Sequence, residues 1–141
     1  MRLREVRPED LIVFYEQHRD PAAVRMAITP VREKDVFIAR WVKHLADPAI
    51  ISRTIEVNGA AAGHAVVFPN EGRRWVGYWL DRALWGKGIA TKVVRDLLVL
   101  DASRPLFAET ADTNIASQLV LLKNGFREVS RKPGSVTWRL S

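Results

Sequence analysis

Tyr78-Trp79-Leu80-Asp81-Arg82-Ala83-Leu84-Trp85-Gly86-Lys87-Gly88-Ile89-Ala90-Thr91 is the stretch whose reading decides the fold of this chain. Its first residues finish a strand-like run, Trp75 to Leu80. Its last residues open an amphipathic helix carrying Ile89, Val93, Val94, Leu97 and Leu98. Between them a short glycine-rich loop strips side chains away where the first helical turn still has free N–H groups. Those groups and the positive end of the helix dipole form a cradle for a phosphate or pyrophosphate. Glycine spacing narrows the choice. An ATPase-type loop needs four residues between its glycines, then Gly-Lys followed by Ser or Thr. Here Gly88 follows Gly86-Lys87, so the hydroxyl that would hold magnesium is missing. A dinucleotide fingerprint wants a third glycine where Thr91 stands, and it belongs to an opening strand-helix-strand unit, although Glu109 falls near the distance of a ribose-binding carboxylate. A pyrophosphate carried by some other cofactor is the reading left.

The flanking sequence places this loop in a sheet. Residues 2–6 read as a strand, and Pro8-Glu9-Asp10 opens a helix to about Gln17, proline being suited to a first turn. Pro21 and Pro30 punctuate a short helix or loop. From Glu33 to Ala46, Phe37, Trp41 and Leu45 recur at helical spacing until Pro48 stops the run. Ile51–Val57 and Ala61–Phe68 read as strands joined by the tight turn Asn58-Gly59. Pro69-Asn70-Glu71-Gly72 turns the chain into Arg74–Leu80. After the loop and its helix come a strand at Pro105–Ala111, a helix at Asn114–Asn124 and strands at Phe126–Arg131 and Val136–Leu140. This order predicts a mixed α/β sheet with antiparallel hairpins. One crossover makes the strand ending at Leu80 parallel to the strand starting near Pro105. In such sheets a ligand sits beyond the carboxyl ends of the strands. No repeat, low-complexity tract or linker interrupts the chain, so residues 1–141 are expected to form a single domain.

Composition sets broad limits. A chain of 141 residues can bury one core without staples, and its apolar fraction of 48% is ordinary. The absence of cysteine excludes disulfides, thiolate metal sites and a cysteine nucleophile, and no metal site is expected. No apolar run is long enough to cross a membrane and the N-terminus is not signal-like, which leads to the expectation of a cytoplasmic protein. The net charge of +6 is spread along the chain with no arginine-rich run or aromatic RNA-binding motif. Direct nucleic-acid binding is therefore not expected; a solvated basic surface that attracts an anionic cofactor is.

Tyr78-Trp79-Leu80-Asp81 followed by Trp85-Gly86-Lys87-Gly88-Ile89-Ala90-Thr91 resembles the acetyl-coenzyme A motif of the GNAT acyltransferase superfamily. Gly88 and Ala90 match the motif, and Trp85 stands where Arg or Gln is commonest. Tryptophan there is similar to the branch containing the ribosomal-protein N-terminal acetyltransferases RimJ and RimL. A second motif, Asn114-Ile115-Ala116-Ser117 and then Lys123-Asn124-Gly125-Phe126, resembles the family's C-terminal helix. The resemblance covers residues 51–130 most securely. It implies a GNAT-like α+β fold: a mostly antiparallel central sheet, a splayed parallel strand pair and helices on both faces. It implies acetyl-CoA as co-substrate, its pantetheine arm between the splayed strands. Backbone groups around Trp79 and Leu80 would bond that arm like an added strand. The pyrophosphate would meet Trp85, Gly86, Lys87, Gly88, Ile89, Ala90 and Thr91. Asn114 and Ser117 would face the cofactor, though an N-cap role alone would explain Asn114. Trp41, Trp75 and Trp138 are expected to be packing residues.

Acyl transfer to an amine needs a base for the ammonium proton and an N–H donor for the developing oxyanion. Glu109 is the candidate base. It lies near the end of the second parallel strand, on a face shared with Phe107 and Ala111, and partial burial there would raise its pKa. By resemblance it also matches the glutamate that RimI-type relatives carry five residues before their Asn. The tyrosine acid of many relatives is replaced by Leu121. Tyr78 is a substitute expected to point into a helix layer. His64, Glu56 and His18 are weaker candidates, since a lone histidine on a strand usually has a structural role. Two functions stay open. One is an acetyl-CoA-dependent N-acetyltransferase acting on a primary amine, a protein N-terminus or a small molecule. The other is a catalytically weak acyl-CoA-binding sensor or interaction domain. The resemblance also admits a homodimer. Acceptor choice in this family is set around residues 18–36 and 68–74, where Arg19, Asp20, Arg25, Arg32, Glu33 and Asp35 carry no readable code.

Overall fold

The computed structural model describes residues 1–26 and 32–141, apart from the side chains of residues 23, 25 and 26. Pro30 and the side chain of Arg25, singled out above, lie outside that set. The strands are β1 (Arg2–Arg4), β2 (Ile51–Val57), β3 (Ala60–Asn70), β4 (Arg73–Leu80), β5 (Leu106–Ala111), β6 (Arg127–Lys132) and β7 (Ser135–Leu140). The helices are α1 (Asp10–His18), α2 (Pro21–Met26), α3 (Lys34–Ala46), α4 (Ile89–Leu100) and α5 (Ile115–Lys123), with one 3₁₀ turn at Arg82–Leu84. Boundaries follow the local signals. Asn58 and Gly59 both take positive φ, 52° and 79°, as a primed hairpin turn requires. Glu71 and Gly72 repeat that pattern at 51° and 73° between β3 and β4. The segment after Pro21, left as helix or loop by the sequence, is helical as far as Met26.

The strands form one sheet in the order β1-β2-β3-β4-β5-β7-β6. Every pairing is antiparallel except β4 with β5. That parallel ladder consists of Trp75 opposite Phe107 and is not carried on toward Leu80 and Ala111. The two strands therefore part at their carboxyl ends, as the resemblance implied.

Strand alternation divides the side chains between two faces. Val76, Leu80, Leu106 and Ala108 pack with Val93, Val94 and Leu97 of α4. The three α4 residues are fully buried, which stabilises each by about 1.5–3 kcal/mol relative to exposure. On the opposite face Leu11 and Phe14 of α1 pack with Phe37 and Trp41 of α3, and Val66 of β3 lies beneath them. A polar network joins β1, α1 and β2. Arg4 donates to Asp10 Oδ2 and Oδ1 at 2.8 and 3.0 Å and to Glu56 Oε2 at 2.6 Å, while Thr54 Oγ1 donates to Asp10 at 2.8 Å. Burial raises the Asp10 pKa, but Arg4, the Arg7 N–H and Thr54 more than offset this and hold it below the usual range. Gly63 has a separate role. A Cβ there would run into the Trp79 carbonyl oxygen, so only glycine allows β3 this close to the end of β4.

Candidate active site

The parting of β4 and β5 opens a cleft of about 870 Å³. Its floor is the diverging strand ends, its rim the glycine loop and α5. The loop is shaped by two left-handed glycines, Gly86 at φ 75° and Gly88 at φ 77°. Gly88 is the N-cap of α4 and supplies no side-chain cap to the helix's first N–H groups. The first turn also carries no acidic residue. A Cβ on Gly86 or Gly88 would meet no atom within 4 Å. A helix N-terminus without a side-chain cap, behind a bare loop, presents amide donors and the positive end of the helix dipole to the cleft. The donor set and the long cleft fit a coenzyme with a diphosphate at one end and an extended tail.

Of the residues expected to touch such a group, Trp79, Leu80, Trp85, Gly86, Gly88, Ile89, Ala90, Thr91, Asn114 and Ser117 line this cleft. Lys87 is exposed and does not line it. Several of them already have partners within the chain. Trp85 Nε1 donates to the Leu80 carbonyl at 2.8 Å, so that oxygen is engaged before any ligand arrives. Asn114 Oδ1 accepts from the Ser117 N–H at 3.1 Å, the N-cap role read from the sequence. Ser117 Oγ and the Tyr78 hydroxyl are 2.9 Å apart. Tyr78 thus reaches the α5 layer as its alternation predicted, and burial raises its pKa.

Glu109 lines the cleft on the face of Trp75 and Phe107, but the partial burial expected of it is absent: the residue is exposed. It pairs with Thr137 of β7 on one side, but it sits where β5 has already left β4, so β4 does not cover it on the other. Leu121, at the position of the missing tyrosine, is buried in the core. Trp41 and Trp138 pack as expected, whereas Trp75 also forms cleft wall, its Nε1 donating to the Asn70 carbonyl at 3.1 Å.

Two features escaped the sequence. Asn124 Nδ2 donates to the carbonyls of Thr91 at 3.2 Å and Val120 at 2.9 Å, tying the end of α5 to the start of α4. His18 and His64, weighed singly as minor candidates, form a pair with their Nε2 atoms 3.0 Å apart. Their 46-residue separation left no local signal. Among the described residues no cluster of three or more His, Asp or Glu could hold a metal ion, and no helix is long and apolar enough to cross a membrane.

The family model described as an acetyltransferase (GNAT) domain matches residues 1–127. The chain belongs to the GNAT acetyltransferase family. Solved structures agree on the fold. A domain from Methanocaldococcus jannaschii superposes with a TM-score of 0.80 at 15% identity, covering 99% of this chain and 96% of that one. The ribosomal-protein α-N-acetyltransferase RimL in complex with coenzyme A gives 0.80 at 17%, over 97% and 90%. An aminoglycoside acetyltransferase in complex with coenzyme A gives 0.79 at 20%, over 97% and 91%. No curated protein matches the chain. The splayed strands and bare glycine loop of this GNAT chain thus lie in a fold that binds coenzyme A in at least two of those structures.

Proposed function

We propose that residues 1–141 act as one cytoplasmic acyltransferase domain that moves an acetyl group from acetyl-CoA to a primary amine on a protein N-terminus or small molecule. The observation that carries this reading is the uncapped α4 N-terminus opening into the cleft between β4 and β5. Gly86, Gly88 and the amides through Thr91 hold the diphosphate, and the cleft edge of β4 near Trp79 holds the tail. When bound, acetyl-CoA supplies an activated thioester. The chain's own groups do the rest. Glu109, exposed to solvent in the cleft, accepts the proton of the incoming ammonium directly or through water. Tyr78, kept protonated by burial and bonded to Ser117, holds an O–H on the opposite wall. No covalent enzyme intermediate is required, so a chain without cysteine suffices.

A second reading, a catalytically weak acyl-CoA sensor, is favoured by one observation: Leu121 is buried in the core at the position where relatives carry an acid. Thiol release from acetyl-CoA across a panel of amines and peptides separates the two. The enzyme reading expects acceleration by at least one acceptor and a drop of about 10²-fold in kcat for Glu109→Gln, the usual worth of a positioned base. Binding without acceptor-dependent release, and no effect of Glu109→Gln, supports the sensor.

A further inference from the structure

The face of the sheet opposite α4 and α5 carries a second polar feature that the reading above does not use. His64, on β3, is buried beside Trp79 of β4 in the strand register. Its ring packs against Phe14 at 5.0 Å and Trp41 at 4.8 Å between centroids. His18, in the last turn of α1, reaches over it and stacks on the Trp79 ring at 3.8 Å and 18°. Phe37 of α3 packs edge-on against His18 at 4.9 Å between centroids. The two imidazoles meet Nε2 to Nε2 at 3.0 Å, and both line the cleft.

The protons on this pair can be placed by counting partners. A 3.0 Å contact between ring nitrogens needs one N–H and one bare nitrogen. His64 Nδ1 is buried without a partner. A buried N–H left unpaired is rarer than an unpaired acceptor, so that atom is bare and the His64 proton sits on Nε2. It is donated to His18 Nε2, which leaves the His18 proton on Nδ1. That Nδ1–H has no partner among the described residues and is not sealed off as its His64 counterpart is. Burial, with the nearby Arg32 charge, pushes the His18 pKa down to about 4, and burial and His18 push that of His64 well below its ordinary value. The pair is therefore neutral in ordinary buffers. Among the described residues the charge acting on His18 is Arg32, and no carboxylate acts on it.

A neutral imidazole that offers an N–H is a poor base and a good donor. The cleft is polarised accordingly, with the Glu109 carboxylate on the β5 side and an N–H under a positive charge on the β3–β4 side. We propose that His18, oriented by His64 and Trp79, donates this N–H to an oxygen beside the reacting amine, so that the acceptor is an α-amino carbonyl compound, a free α-amino acid or a peptide N-terminus. Polyamines and simple alkylamines have no such oxygen and leave the donor unmet. This inference rests on the acetyl-transfer reading and narrows its substrate class.

The test uses the full chain with acetyl-CoA and four acceptors: L-alanine, alanyl-alanine amide, propylamine and spermidine. Alanine or the dipeptide is expected to exceed both alkylamines in kcat/KM by at least about tenfold, since a site built to donate a hydrogen bond rejects analogues lacking its acceptor. Whichever of the two leads identifies the source as a free amino acid or a chain end. His18→Phe is expected to abolish that preference, lowering kcat/KM for the α-amino carbonyl acceptors more than for the alkylamines, and His18→Asn, which keeps an N–H, to retain part of it. Calorimetry of the leading acceptor against the CoA-loaded protein is expected to show binding weakened about tenfold by His18→Phe. Equal or better turnover of spermidine, or a uniform loss for all four acceptors in His18→Phe, overturns the inference while leaving acetyl transfer standing. Tight CoA binding with no turnover of any acceptor overturns the acetyl-transfer reading and this inference with it.

Discussion

The two faces of the central sheet meet at β4 but are built from different materials. On one side, α4 and α5 frame a site made mostly of backbone, in which two left-handed glycines and an uncapped helix end leave amides free. On the other, α1 and α3 frame a site made of side chains, where His18, His64 and Trp79 are held by aromatic packing from four separate elements. The first is compact in sequence and tolerant of its surroundings. The second depends on long-range register, above all on His64 lying opposite Trp79.

The comparison is broken most severely at Gly63, where both sites share a backbone. Gly63→Val places a branched Cβ against the Trp79 carbonyl, and the expected loss is on the order of 3 kcal/mol or more of unfolding free energy, read by urea denaturation. A loss no larger than that of Gly59→Ala, where a Cβ meets nothing within 4 Å, would mean that β3 and β4 are not so closely joined.

The side-chain site should announce itself in acid. His18 and His64 bind protons less readily folded than unfolded, so the unfolded chain takes up more protons once the pH falls below the ordinary histidine value. Their neutral burial is costless above about pH 6.5 and becomes destabilising as the pH drops from there toward about 4. The loss across that window is expected to be on the order of 2 kcal/mol, and His18→Gln should flatten the curve. A wild-type curve with no such slope argues that the pair is not buried in solution.

Much of the backbone site was legible because its chemistry is local. Gly86-Lys87-Gly88 before an amphipathic run, with Asn58-Gly59 and Glu71-Gly72 as turns, fixed the loop, the hairpins and the crossover from neighbouring residues alone. Glu109 falls on the face its alternation predicts, but it is exposed rather than partly buried, because exposure depends on how far β5 swings from β4 and no residue in β5 encodes that. Likewise the residue pattern marks Trp75 only as a packing residue, and the parting strands make it cleft wall as well. The histidine pair was invisible as a pair. Its members lie 46 residues apart, and only the fold of α1 over β3 brings them together.

Smaller changes sharpen the backbone side. Gly88→Ala keeps the fold at a cost of about 1 kcal/mol, the strain of a Cβ at φ 77°. It is expected to weaken coenzyme binding by about tenfold, measured by calorimetry, because relief of that strain tilts the loop amides. Lys87→Ala should be smaller still, below about 0.5 kcal/mol and further reduced by salt, since this side chain is exposed and lies off the cleft. A large Lys87 effect would move the anion site from the amides to a side chain.

The most direct test is an NMR titration of the isotope-labelled full chain with acetyl-CoA, following the amide signals of residues 86–91. Saturable shifts concentrated on those amides, with stoichiometry of one and a rise in melting temperature, are predicted. Saturating acetyl-CoA that leaves those amides unmoved, with no thermal protection, would contradict the account at its foundation.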